Sequence, residues 1–371
     1  PYEREHLIDV LGQEVFSLET NGEGEPISGY SVYPVDKQTR PLTNGEMLGH
    51  AKQLAEAKLK EIKSWADTKT GTPMKVTEYE ATTGLKALPS RWVIEWKIKA
   101  NVFVIKCRLC LKGFAERNQH LMNTYSPTAT RTGHKLVCLF SSIKGWELWS
   151  LDVSTAFLKG WSFQDMRDAG FKRQPCAFIP PPDVLAIWAS IDPAFKKCLA
   201  NPKLWCVFLD KAAYGLKDAP LLWHLRAVLV LTTELGFTRS AHDTCVFLLL
   251  WDKKLVCVLS LHVDDTLVTG TNEAMSWVHW ELEKRFGTLT CEKNKFRHFG
   301  VEMIRDASTW DVTLSQTEYI GTLKPTAVQK GKRSVESEAS PAEVSAYRSL
   351  VSGIAWVGIT SPLAQAMASM L

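Results

Sequence analysis

Two adjacent carboxylates, Asp264 and Asp265, interrupt the apolar stretch KLVCVLSLHVDDTLVTG at Lys254–Gly270. The run Leu255–Leu261 is β-rich and almost purely apolar, the pattern of a strand buried on both faces. A tight turn carrying the pair follows, then a second short strand. Like charges side by side repel, so the pair is costly unless water or a cation neutralises it. Either the dipeptide simply makes a turn, which Asp favours, or it holds a divalent metal at the tip of a buried hairpin. A third carboxylate, Asp152, stands near the end of the short strand ELWSLDV, Glu147–Val153. That is the usual place for a site carboxylate in a sheet protein; the plain alternative is a cap or turn aspartate. Cations gather elsewhere. Arg91–Gly113 reads as a two-stranded ribbon turning near Ala100-Asn101. Alternation puts Lys97 and Lys99 on one side of its first strand, and Lys106 and Arg108 on one side of its second. Such a run is either a solvated face or a clamp for a polyphosphate.

The elements that must position these groups follow from the surrounding pattern. Residues 1–40 are polar, turn-rich and without period, and read as a loose arm. Asn44–Ala66 is helical, with Leu48, Ala51, Ala55, Leu59, Ile62 and Ala66 on one face. Thr132 is the expected cap of a helix through Ile143 that stops at Gly145. Trp161–Asn201, with Pro180-Pro181-Pro182 at its centre, reads as an insertion lying against the body rather than as core. Leu204–Leu209 is a strand. Asp218 and Pro220 start a long apolar helix running to Gly236. Asn272 is expected to cap a helix whose Met275, Val278, Leu282 and Phe286 form one stripe ended by Gly287. Strands follow over Thr288–Leu314. Ser315-x-x-Glu318 and Ser340-x-x-Glu343 have the form of capping boxes, and Lys330–Glu338 between them reads as a mobile linker.

Composition narrows the class. The 371 residues are 45% hydrophobic and 23% charged, as in an ordinary globular protein with a main domain and satellites. A net charge of +4 permits nucleic-acid binding without requiring it. Nine scattered cysteines suit a reducing compartment. Cys107 and Cys110 form a C-x-x-C without a second pair, which argues against zinc. Ser349–Leu371 is uncharged but diluted by Ser, Thr, Gly, Gln and Pro362. It reads as a buried helix pair broken at Thr360-Ser361-Pro362, with no membrane span. The first residue is Pro1, consistent with a segment of something longer.

In this order the motifs R-W-V, K-C-R-L-x-x-K-G-F, Y-S-P, L-D-V-S-T-A-F-L-K-G, A-Y-G-L-K-D-A-P-x-x-W, H-V-D-D, L-S-Q-x-x-Y-I and Y-R-S-L-V occur between about Trp65 and Thr360. Together they resemble the copia-type retrotransposon reverse transcriptase. The resemblance implies an α+β right-hand polymerase: an arm over residues 1–43, fingers over 44–146, a palm over 147–287 with an inserted segment 161–203, and thumb and start of connection over 288–371. It implies that Asp152, Asp264 and Asp265 hold two Mg²⁺ ions, Mn²⁺ also serving, with the Val153 carbonyl as a further ligand. Lys106 and Arg108 would grip the dNTP triphosphate, and Phe157 would crowd a ribose 2′-hydroxyl. Tyr214 and Gly215 would flank the nucleotide, while Lys97, Lys99, Lys112 and His262 would touch the RNA or DNA template-primer. Nucleotidyl transfer suits such a set, because its catalysis is mostly positioning and charge neutralisation. Other Pol and Gag segments would be partners, no membrane would be involved, and the site of action would be a cytoplasmic virus-like particle, the nucleus, or both. The family's ribonuclease H would begin beyond Leu371. Three positions depart from the pattern: His262 replaces the commoner Tyr, Leu222 an Arg, and Thr360-Ser361-Pro362-Leu363 the run T-R-P-D. They leave the aspartates untouched, and set beside polymerase activity the alternative of an inactive nucleic-acid-binding relic.

Overall fold

The computed structural model describes residues 39–99, 102–117, 119–323 and 340–370. Its strands in chain order are β1 (Thr39–Pro41), β2 (Gly71–Lys75), β3 (Leu88–Lys99), β4 (Val102–Leu111), β5 (Glu147–Val153), β6 (Ala177–Ile179), β7 (Trp205–Leu209), β8 (Thr238–Arg239), β9 (Val246–Trp251), β10 (Lys254–His262), β11 (Asp265–Gly270), β12 (Leu289–Lys293), β13 (Lys295–His298), β14 (Val301–Arg305) and β15 (Val312–Ser315). They form three sheets, and with the helices around them the architecture is α+β.

The first sheet has the order β1-β3-β6-β7-β2, with β4 paired to β3. The ribbon β3–β4 is antiparallel from Ser90 opposite Leu111 to Lys99 opposite Val102, and its expected turn lies outside the described residues. Most of the arm also lies outside them. Its end does not hang free, because Thr39–Pro41 pairs with β3, Thr39 opposite Lys97. Residues 161–203 are core, which corrects the reading of an appended insertion. Phe163, Met166, Phe178, Trp188 and Phe195 are buried in the main cluster, and β6 lies mid-sheet. The three prolines drew attention from VLAIWASI, an apolar helix at Val184–Ile191.

The second sheet, β12-β5-β11-β10-β9-β8, is antiparallel and covered on both faces. Successive residues of a strand alternate faces. Trp149, Leu151 and Val153 therefore point into a core shared with the helices Ala219–Leu229 and Asn272–Phe286. Leu148 points the other way, into a core with Val258, Leu267, the helix Arg131–Lys144 and the sheet β13-β14-β15. Each fully buried Leu or Val contributes roughly 1.5–3 kcal/mol relative to exposure.

Several local expectations shift. The helix over 44–66 is two, Asn44–Gly49 and Ala51–Asp67, broken at His50. Its buried face is Glu61, Ile62 and Trp65, while Leu48 is 82% exposed. The caps are Thr130 and Thr271, each beginning its helix slightly earlier than Thr132 and Asn272 would. Thr130 is held there because its N–H and hydroxyl both donate to Asp243. The helix at Ala219 widens into a π-turn at Val230–Glu234. Ser315 makes no capping box, since Gln316 stands at the cap without a side-chain bond; the Ser340–Glu343 box does form. The C-terminal helices, Pro341–Val357 and Pro362–Met370, part where expected but are thinly buried, Met370 being 87% exposed. Among the described residues no helix is long and apolar enough to cross a membrane. Lys330–Glu338 lies outside them.

Candidate active site

Strand register brings the three aspartates to one end of the second sheet. Asp265 is the direct partner of His262 on β10 and of Asp152 on β5, so one row crosses three strands. Directly opposed residues share a face. Asp264 occupies the two-residue turn between His262 and Asp265, so the pair is split: one in the turn, one opening β11. The Asp264 carbonyl accepts the Val153 N–H at 3.4 Å, a weak tie back to β5.

The turn is strained. Val263 has φ 56°, a left-handed conformation in which a β-branched residue is an outlier. The buried Trp223 indole holds it there, donating to the Val263 carbonyl at 2.6 Å. Beyond β5, Thr155 is also left-handed, at φ 57°. Lys159 closes that loop by donating to the carbonyls of Ser154 at 2.6 Å and Phe286 at 2.5 Å.

Electrostatics at this end are dominated by uncompensated anions. Burial, then Asp264 and Asp152, push the Asp265 carboxyl up to about 7. Burial and Asp152 also raise Asp264. Carboxylates this reluctant to ionise are stabilised by a cation, and hard oxygen donors suit magnesium. Asp152, Asp264 and Asp265 are of the donor type such an ion takes. As placed, no three His, Cys, Asp or Glu side chains among the described residues stand close enough to hold a metal. The aspartates thus share a sheet end, not yet a common point.

The ribbon supplies the opposite sign. Glu95, Lys106, Val93, Arg108, Lys97 and Val104 fall on one face by register. Lys106 is partly accessible, yet burial by the surrounding protein, then Arg108 and Lys97, push its pKa down to about 8, with Asp152 pulling the other way. Lys97 acts in turn on Asp265. Arg108 pairs with Glu95 at 3.8 Å. The side chain of Lys99 lies outside the described residues, and Lys112 is half-buried just past β4, its N–H donating to Pro89.

The base of the ribbon is joined to the segment carrying Tyr214 and Gly215. The Leu111 N–H donates to the Tyr214 carbonyl at 2.8 Å. Gly215 has φ 92°, and a Cβ there would stand 2.1 Å from the Leu111 oxygen; a Cβ on Gly113 would stand 2.2 Å from the Gly215 oxygen. Only glycine permits both contacts. Phe157 packs tilted against Tyr214 with 5.9 Å between centroids. Burial raises the Tyr214 phenol, so it stays neutral.

Not every expected residue faces this cleft. The His262 ring stacks on Phe299 at 5.2 Å, and its N–H bonds the Ala129 backbone, so it is engaged by protein. Other contributors went unmarked in the sequence. Glu61, raised by burial, accepts the Leu109 N–H and the Trp65 indole, both at 3.1 Å. It satisfies the outer edge of β4. Arg173 is buried between Glu116 at 2.5 Å and Asp218 at 2.7 Å, under the Phe163 ring. No spacing rule marks a mid-helix Glu61 that serves a strand edge, and Arg173 lies in the segment read as an insertion lying against the body.

Comparison with known proteins follows the same residues. The family described as "Reverse transcriptase (RNA-dependent DNA polymerase)" matches residues 77–330. The chain belongs to that family. This reverse transcriptase domain is 25% identical over 301 residues to the retrovirus-related Pol polyprotein from transposon TNT 1-94 of Nicotiana tabacum, covering 80% of this chain and 20% of that protein. It is 27% identical over 289 residues to the corresponding polyprotein from transposon RE1 of Arabidopsis thaliana, covering 73% and 18%. The chain thus spans about a fifth of the length of the curated relatives it matches. A telomerase from Candida albicans, solved with a fragment of telomeric RNA, aligns with 70% of this chain and 49% of its own at 10% identity and a TM-score of 0.35.

Proposed function

We propose that this reverse transcriptase domain performs RNA-directed DNA synthesis for a copia-type element, adding a deoxynucleotide to a primer 3′-hydroxyl. The single observation carrying the reading is the row His262–Asp265–Asp152, which sets Asp152 and Asp265, more than a hundred positions apart, side by side and within electrostatic reach of Lys106 and Lys97. In this reading the second sheet is the palm, the ribbon and its sheet belong to the fingers, and residues beyond 288 begin the thumb. Asp152, Asp264 and Asp265, with the Val153 carbonyl, would hold magnesium or manganese. A pair of such ions supplies charge neutralisation at the attacking oxygen and the leaving pyrophosphate.

The chain's own residues do the rest. Lys106 and Arg108 bind and orient the triphosphate from the opposite wall. Gly215, lacking a side chain, and Tyr214 form the floor on which the sugar lies. Phe157, braced by Tyr214, crowds the 2′ position and favours deoxynucleotides. Lys97, Lys99 and Lys112 would meet phosphates of the template-primer, a salt-sensitive contribution. Residence in a virus-like particle or the nucleus, and partnership with other Pol and Gag segments, belong to the same proposal and rest on the family.

Primer extension on a primed homopolymer tests it. Extension that requires Mg²⁺ and falls at least about a hundredfold in Asp264→Asn and Asp152→Ala is expected. Salt-sensitive template binding without extension at any Mg²⁺ or Mn²⁺ concentration would leave only the inactive relic.

A further inference from the structure

Two residues before the acidic row, a second row crosses the same three strands on the same face: Ser260, Leu267 and Ser150. Both serines are tied to a histidine from outside the sheet. Ser260 Oγ lies 3.0 Å from Nδ1 of His134, on the helix Arg131–Lys144. Ser150 Oγ lies 3.1 Å from Nδ1 of His298, at the end of β13. The strand bearing Asp152 and the strand leading to Asp264 are therefore each pinned near the acids, by different elements.

The two imidazoles and His262 surround Phe299. Ring centroids lie 4.4 Å from His134, 5.2 Å from His262 and 5.0 Å from His298. Phe299 itself has φ 35°, a conformation a bulky residue keeps only when its surroundings over-determine it. The cluster is buried and tight. His134 and His298 are 4% and 1% exposed, and among the described residues the Nε2 of each has no hydrogen-bonding partner. A buried polar atom without a partner is costly, so apolar rings would serve better if packing were the only task. The three rings are not a metal site, since no such group stands at ligating distance among the described residues. What an imidazole does here that a phenyl ring cannot is hold a hydroxyl on a catalytic strand.

We propose that His134 and His298 are positioning residues for the acidic row, fixing through Ser260 and Ser150 the separation at which Asp152, Asp264 and Asp265 present their oxygens to a divalent cation. This rests on the reading of those aspartates as the metal site. Groups bonded directly to metal ligands change metal affinity roughly ten- to a hundredfold when lost; these histidines act through serines two and four residues along the chain from Asp152 and Asp264, so the lower end of that range, about tenfold, is the effect to look for.

The test uses His298→Phe and His134→Phe, which keep a ring and remove the bond, and Ser150→Ala, which removes the His298 bond from the other side with little change in volume. Mn²⁺ binding to the protein without substrate is read by electron paramagnetic resonance, beside the Mg²⁺ dependence of primer extension. We expect each variant to weaken Mn²⁺ binding about tenfold and raise the Mg²⁺ requirement similarly, with dNTP KM at saturating Mg²⁺ unchanged. His298→Phe combined with Ser150→Ala should be no worse than either alone, because one bond is lost in all three. Should a histidine variant fail to fold, Ser150→Ala decides for His298 and Ser260→Ala for His134. Unaltered Mn²⁺ binding in a folded Ser150→Ala or Ser260→Ala protein overturns the proposal. Asp264→Asn is the control: if it too leaves Mn²⁺ binding unaltered, the metal-site reading fails first and the positioning role falls with it.

Discussion

At the scale of single residues, the turn carrying Asp264 depends on a bond that no motif spacing announces. Trp223 donates from the core to the carbonyl of Val263, whose backbone is left-handed. Replacing it with Phe keeps the bulk and removes the donor. Trp223→Phe is expected to cost about 1–3 kcal/mol, the penalty of an unsatisfied buried acceptor, measured by denaturant titration. Extension should fall more than template-primer affinity does. Gly215→Ala should be worse tolerated, because φ 92° and the Leu111 oxygen at 2.1 Å both oppose a methyl group; a loss of about 1–3 kcal/mol from the backbone alone is expected in thermal melts. That the three aspartates belong together was legible only through the order of the motifs around them, because an Asp-Asp after an apolar run could equally have been a plain turn. Trp223 was legible only as a motif letter, since its partner is a carbonyl and every residue has one. Glu61 and His134 were illegible, because nothing in a helical period distinguishes a buried polar residue with a backbone or hydroxyl partner from one facing water.

At the scale of elements, the ribbon, β5, β7 and the β10–β11 hairpin could be read from apolar runs and turns, and β5 begins and ends where its pattern said, whereas β1, β2, β6, β8 and β9 were not read. Residues 161–203 could not be read that way. Short strands and helices separated by prolines and charges resemble a surface excursion, and only pairing between β6, β3 and β7 makes them core. Arg173 joins that region to the ribbon's end through Glu116 and to the start of the helix Ala219–Leu229 through Asp218. Its guanidinium is 1% exposed, so removing it strands two buried acids. Burial already pushes Asp218 up to about 6, with Arg173 opposing. Arg173→Met should therefore destabilise by about 3–5 kcal/mol, and adding Glu116→Gln and Asp218→Asn should restore much of it. Calorimetry of the single and triple variants checks this; a single variant as stable as the triple would contradict it.

At the scale of the whole molecule, the fold encloses histidines that cannot charge. Burial pushes both His134 and His224 down to about 3. Their folded values lie below the unfolded value near 6.5, so their contribution is complete above about pH 6.5 and is lost as pH falls towards 3, where the unfolded chain takes up protons the native state refuses. Unfolding free energy should drop between pH 6.5 and 4.5, and in His224→Gln the slope should be shallower by up to about 1.4 kcal/mol per pH unit. An equal slope in wild type and variant would rule this out. The ribbon has a mechanical consequence at the same scale. Its outer edge is fastened at Leu109 by Glu61 and at Leu111 by Tyr214, whereas Val102 and Phe103 further out are 60% and 62% exposed. A lever clamped at one end swings from its clamp. Pairing with Thr39–Pro41 carries that clamp out to Lys97, past the residue opposite Lys106, so under the proposed function a nucleotide would meet Lys106 and the Gly215 segment as parts of one fixed frame.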